Sequence, residues 1–302
     1  MKFRRNETLI ALAHRVIAHG LLATGATSFC EMRRDRVPAI RIVSYHRTDP
    51  RHAGNLEKHF RFFSKHYLPA TWNDLTAQIS GTCPWTKAKP GIIVAFDDGG
   101  LSNFTVARPL LRRFGLTGIF LIPTDWIDTP REKQPEYAKA HRIVVTTRGV
   151  EAGLAMNWEQ IRQLSLEKDK IVSHTRSHHR FSSLDTPKVL SREIKESKSI
   201  LEERLHLPID TFGWVGGESE VYQPAAFKQI QEAGYRYSLS TILGLNRPNT
   251  NPFFIRRTAI FDNWSLAQVR FWLLPISDRR YASKEARISR CLGISSSPVA
   301  RS

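Results

Sequence analysis

GIIVAFDDGG, from Gly91 to Gly100, decides how this 302-residue chain is read. Ile92 to Phe96 is an unbroken apolar run bounded by glycine, as expected of a strand covered on both faces in a parallel sheet. Asp97 and Asp98 follow at once. Ionised carboxylates do not stay unpaired in such an interior, so they must emerge at the strand's end, into a cleft or onto a metal. Paired aspartates at a strand terminus are a place to look for catalysis.

Outward from this strand, the chain alternates between strand and helix patterns. Further strands are expected at Ile40 to Tyr45, Leu116 to Ile122, Lys170 to Ser173, Thr211 to Val215, Tyr235 to Ser240 and Phe253 to Ile260. Between them run helical stripes. Asn55 stands as a cap before Leu56, Phe60, Phe63 and Tyr67, and Thr71 with Asp74 resembles a capping box. Asn103 to Phe114 stops at Gly115, and Asn157 precedes Trp158, Ile161 and Leu164. Thr186 and Pro187 open a long helix with Leu190, Ile194, Leu201 and Leu205 on one stripe, while Gln223 to Ala233 and a segment from Ser265 complete the set. Pro123 to Gly153 is long, polar and without a firm period, which suits a substrate loop or lid. The alternation implies right-handed βαβ units. The fold class expected is α/β, a distorted (β/α) barrel of about seven strands, with an N-terminal basic helix. Functional groups then belong at the C-terminal ends of strands, where His46, Asp97, Asp98, His174 and the Gly216-Gly217 turn all fall.

Three segments are expected: residues 1–39 as a basic amphipathic stretch, 40–275 as the repeating strand-and-helix domain, and 276–302 as a basic, Ser-rich mobile tail. Lys2, Arg4 and Arg5 precede an apolar stretch that His14, Arg15 and His19 interrupt. That favours a helix lying on the domain or on a membrane surface over a secretory leader, hence a cytoplasmic or membrane-peripheral location. No apolar run reaches the ~18 residues of a membrane span. Cys30, Cys83 and Cys291 lack the spacing of a disulfide framework or cysteine metal site. A hydrophobic content of 41% supports a sizeable core. The net charge of +17 predicts attraction to anionic partners, with peripheral contact to an anionic membrane among them. The charge is spread and no RNA-binding motif accompanies it, so nucleic acid is not expected as the primary partner.

His174 and His178 are four apart in SHTRSH, and both imidazoles can reach one ion from a strand end and the following turn. With Asp98 they make a two-His, one-carboxylate set suited to a hydrolytic divalent metal. His179 is a competing ligand; the spacing favours His178. Trp126 and Trp158 suit core packing at least as well as sugar stacking.

At these residues the chain resembles the polysaccharide deacetylases, the NodB-like carbohydrate esterases, over about residues 40 to 275. FDDG at 96 to 99 resembles the family's first motif, and HTRSH at 174 to 178, with Leu184 downstream, its second. The resemblance implies metal-dependent removal of an N-acyl group from an aminosugar. Asp97 would be the general base, and Asp98, His174 and His178 the ligands of one divalent ion, with zinc expected ahead of cobalt, nickel or iron. The general acid would be His46, because Tyr45-His46 is similar to an early Tyr-His pair in the poly-N-acetylglucosamine deacetylases. Arg257 resembles an arginine that pairs with the base, with Arg256 as the competing choice. FGWVGGE at 212 to 218 departs from the family's Pro-Tyr-Gly turn, placing Val215 and Gly216 there, so a looser turn without a stacking ring is expected. The substrate implied is an acetylated aminosugar oligomer or polysaccharide, free or lipid-linked. The alternatives are a deformylase or deacylase of a lipid-linked aminosugar, or a weakened saccharide-binding barrel.

Overall fold

Gly91–Phe96 forms a strand in the centre of a curled sheet, in a computed structural model that describes residues 38–146, 153–167, 169–274, 278 and 281–294. In chain order the strands are β1 Ile40–Tyr45, β2 Leu68–Pro69, β3 Gly91–Phe96, β4 Gly118–Ile122, β5 Lys170–Ser173, β6 Thr211–Gly213, β7 Tyr237–Leu239, β8 Leu245–Asn246 and β9 Thr258–Ala259. Their order across the sheet is β7-β6-β5-β4-β3-β1-β8. Every pairing from β7 to β1 is parallel, and β8 joins β1 antiparallel. The chain around β9 spans the remaining gap. Ile255 bridges Leu239 of β7, and Thr258 and Ala259 pair with Val43 and Ser44 of β1. The sheet thus curls into the expected distorted (β/α) barrel.

Local chemistry explains the helices. Thr71–Asp74, Asn157–Gln160 and Ser265–Gln268 each form a reciprocal capping box. Thr186 caps the long helix, which runs through Pro187–Ser191, Arg192–Glu196 and Ser197–Leu205 with a wider π turn in its middle. Asn55 is not a cap. The helix Ala53–His66 begins two residues earlier, and Asn55 Nδ2 donates instead to the carbonyls of Asp262, at 2.6 Å, and Trp264. The stretch after Pro123 is not a plain loop, since it carries the helices Thr124–Asp128 and Gln134–His141.

The expected mobile tail needs correction. Ala282–Leu292 is a helix with Glu285, Ile288, Ser289 and Leu292 buried, so the packed body does not end at 275. Its many cations read as a solvated segment, but Glu285, Ile288 and Leu292 share one face. Glu285 pairs with Arg256 beneath that face, and Asp278 with buried Arg41 at 2.8 Å. Residues 1–37, with His14 and His19, and the end of the tail lie outside the described residues. No described helix is long and apolar enough to cross a membrane.

The outer layer holds one titratable group with a clear consequence. His59 Nε2 lies 2.8 Å from the Trp264 carbonyl, which only accepts, so Nε2 carries the proton. Nδ1 then accepts the Tyr45 hydroxyl at 3.1 Å. Burial pushes the imidazole pKa down to about 4, against the raising effects of the Trp264 carbonyl and Asp262. The unfolded chain takes up this proton near pH ~6.5, so stability is complete above that value and is lost as pH falls through about 4. The loss amounts to about 3 kcal/mol. In urea titrations at pH 7 and pH 4.5, His59→Gln is expected to show a smaller fall in midpoint than the unsubstituted chain. Equal falls in both proteins would refute the assignment.

Candidate active site

Strand parity decides which side chains reach the barrel mouth. Ile40 and Ile42 of β1, Ile93 and Ala95 of β3, Ile119 and Leu121 of β4 and Val172 of β5 pack together inside the barrel. Val43, Tyr45, Ile92, Val94 and Phe96 pack outward against helices. With side chains alternating at period two, the inner rows continue at the C-terminal ends into His46, Asp97 and His174. Ile255 is also an inner residue, so Arg257 falls on the inner row and Arg256 on the outer one. Tyr45 is therefore a core residue on the face opposite His46, bonded to His59 rather than to the site.

Asp97 is buried and held from two sides. Arg257 Nη1 lies 3.3 Å from Oδ1, while Arg257 Nη2 donates to the Trp214 carbonyl at 2.7 Å. His46 Nε2 is 3.6 Å from Oδ2, and its side chain keeps 37% of its surface exposed. The site thus places a shielded carboxylate beside an imidazole open to a ligand. Beneath them, Asn103 Nδ2 donates to the carbonyls of His46 and Asp97, at 3.2 and 3.3 Å, and ties the ends of β1 and β3 together.

Asp98, His174 and His178 converge, and all three are buried. Asp98 Oδ1 is 3.1 Å from His178 Nε2 and 3.6 Å from His174 Nε2. Each imidazole uses its other nitrogen on a backbone carbonyl: His174 Nδ1 on Gly213 at 2.8 Å and His178 Nδ1 on His141 at 2.7 Å. A carbonyl only accepts, so both Nδ1 atoms carry hydrogen, and in the neutral rings both Nε2 lone pairs face Asp98. Among the described residues, buried Asp98 Oδ1 finds no hydrogen-bond partner of acceptable geometry. Burial alone would raise the Asp98 carboxyl, but the imidazoles of His178, His174 and His46 together outweigh it and hold the group well below the usual carboxylate range. Burial pushes His174 down. Three donors with their outer nitrogens already anchored and an orphaned carboxylate oxygen at their centre fit a divalent cation.

The backbone is strained to build this cluster. Asp98, Thr175 and His178 adopt positive φ of 70°, 63° and 61°. Such values are uncommon for non-glycine residues and gather at functional sites. At Gly213, an added Cβ would collide with Leu121 and crowd His174 Nδ1 at 3.2 Å, so glycine leaves the imidazole room to reach this carbonyl.

The remaining sequence candidates separate clearly. Arg256 pairs with Glu285 and is structural. His179 Nε2 binds Asp185 at 2.9 Å and stays out of the triad. Trp126 is fully buried, and Trp158 donates to Asp128 at 2.8 Å. The turn at Val215 and Gly216 is more constrained than expected. Glu218 binds Arg180 at 2.8 Å and accepts from the Gly217 N–H at 3.1 Å, and Lys284 from the C-terminal helix donates to the Gly217 carbonyl. Sequence reasoning missed Asn103, taken only as a helix start, and the backbone contributions of His141 and Val144, whose N–H lies 3.4 Å from Asp98 Oδ2. Asn103 opens a π turn at Asn103–Ala107, which the periodicity of an ordinary helix cannot signal.

The sequence model described as polysaccharide deacetylase matches residues 86–238, half of the chain. Among solved structures, the fold is similar to IcaB from Ammonifex degensii, with 19% identity, TM-score 0.59, and 78% of this chain and 97% of that one covered. A de-N-acetylase from Aggregatibacter actinomycetemcomitans gives 15% identity, TM-score 0.59, and coverage of 78% and 99%. The Streptococcus pyogenes deacetylase PplD, solved in complex with acetate, gives 15%, 0.58, and coverage of 79% and 97%. No curated protein matches the sequence.

Proposed function

The chain belongs to the polysaccharide deacetylase family, and on that premise we propose that it is a metal-dependent hydrolase releasing acetate from N-acetylated, GlcNAc-type saccharides. One observation carries this reading: buried Asp98 Oδ1 has no hydrogen-bond partner among the described residues and sits between two imidazoles whose Nδ1 atoms are already tied to carbonyls. Asp98, His174 and His178 would hold the divalent ion, which would supply positive charge to polarise an amide carbonyl and acidify water. Asp97 takes the proton of the attacking water, and Arg257 fixes the direction in which its carboxylate points. The Gly216 N–H, in a turn anchored by Glu218 and Lys284, supports the oxyanion. His46, in its protonated form, delivers a proton to the amide nitrogen as the C–N bond breaks, so that the sugar leaves as an amine and the acyl group as acetate. The open face of His46 and the +17 net charge suit a saccharide approaching from solvent, including one carried on an anionic lipid.

Incubation with N-acetylglucosamine oligomers is expected to release acetate, to stop after chelation and to resume with added Zn²⁺ or Co²⁺. The reading is overturned if no N-acetylated saccharide yields acetate, or if chelation leaves the release unchanged.

A further inference from the structure

The loop that carries both histidine ligands has its own anchor, outside the residues that meet metal or substrate. Glu193 is buried to 2% exposure in the π turn Arg192–Glu196 of the long helix. Its Oε2 accepts the backbone N–H of Arg176 at 3.0 Å and of Ser177 at 2.8 Å, and Oε1 accepts the Ser177 hydroxyl at 2.9 Å. One helical turn on, Ser197 Oγ donates to the Thr175 carbonyl at 3.0 Å. The two side chains hold consecutive residues of the segment between His174 and His178.

We propose that Glu193 is a positioning residue for this metal site, setting the conformation of the His174–His178 loop and through it the affinity for a divalent ion. This rests on the metal reading of Asp98, His174 and His178. Thr175 and His178 stand at positive φ, a conformation a free loop of these residues would leave. A carboxylate accepting two adjacent N–H groups is a strong, directional anchor for such a turn. Glu193 and its neighbour Ile194 are both buried within the π turn, where the helix face is shifted from its ordinary period. The anchor's chemistry also separates it from ordinary core packing. It depends on an acceptor oxygen, which alanine lacks and glutamine keeps.

Zn²⁺ titration of the metal-free full chain against a competing chromophoric chelator, with the Tm of the metal-free protein measured alongside, tests this. Glu193→Ala is expected to weaken Zn²⁺ binding by about 10-fold or more, the loss typical of a support behind a ligand. Glu193→Gln keeps an acceptor for both N–H groups and is expected to stay within about threefold of the unsubstituted chain. Should Glu193→Ala not fold, Ser177→Ala, which deletes only the hydroxyl contact, carries the test, and about threefold weaker binding is expected of it. Unchanged affinity in the folded variants, even with a lowered Tm, makes Glu193 merely structural and overturns the proposal alone. Absence of Zn²⁺ binding by the unsubstituted chain overturns the function proposed above, and this inference with it.

Discussion

Asp97→Asn is expected to lower the rate of acetate release by about 10²–10⁴-fold while leaving divalent-ion affinity within about threefold. Asparagine keeps the shape of the side chain and an oxygen for the Arg257 contact at 3.3 Å, but has no basic carboxylate to receive the water's proton. Arg257 retains its bond to the Trp214 carbonyl, so the buried guanidinium is not left bare. Asp97 pairs with His46 and Arg257, while Asp98 pairs with His174 and His178, so the exchange leaves the triad's own contacts in place. The two measurements therefore move independently. Retained turnover would remove Asp97 from the role of base. Loss of metal together with turnover would show that the adjacent aspartates act as one unit.

That division of labour was partly legible in the chain. A run of apolar residues ending in two aspartates signals a strand terminus, and the alternation of β1, β3 and β5 sends His46, Asp97 and His174 to one mouth. The same alternation, counted from Ile255, selects Arg257 over Arg256, a choice the motif by itself left open. What stayed hidden depends on departures from regular periods. Asn103 and Glu193 both lie in π turns, where the face of a helix shifts by a residue. His141 contributes a carbonyl rather than a side chain, so no residue type announces it. The C-terminal helix was misread for a different reason. Lys284, Arg287 and Arg290 give it a basic look, but Glu285 finds a buried partner in Arg256 only once the barrel has brought residues far apart in sequence together.

Asp98→Asn is expected to abolish turnover and to remove the stabilisation that a divalent ion gives the folded chain. Asparagine is among the few side chains that tolerate a φ of 70°, so the turn after β3 survives the exchange and the charge is what changes. A neutral amide oxygen is a much poorer ligand than a carboxylate beside two imidazoles, and an amide N–H₂ in the same place would point a donor at the ion. In the unsubstituted chain, an ion at about 100 times its Kd raises unfolding free energy by about 2.7 kcal/mol. Thermal unfolding with and without Zn²⁺ should show that increment in the unsubstituted chain and nothing measurable in Asp98→Asn. The metal-free Asp98→Asn protein should itself unfold at a lower temperature than the metal-free unsubstituted chain, because the exchange removes the carboxylate charge facing His178 at 3.1 Å, so the Zn²⁺ increment within each protein is the readout. A variant that keeps the Zn²⁺ increment would mean that His174 and His178 serve an ion, or a proton, without Asp98. The orphaned oxygen would then have to be explained by something other than a metal.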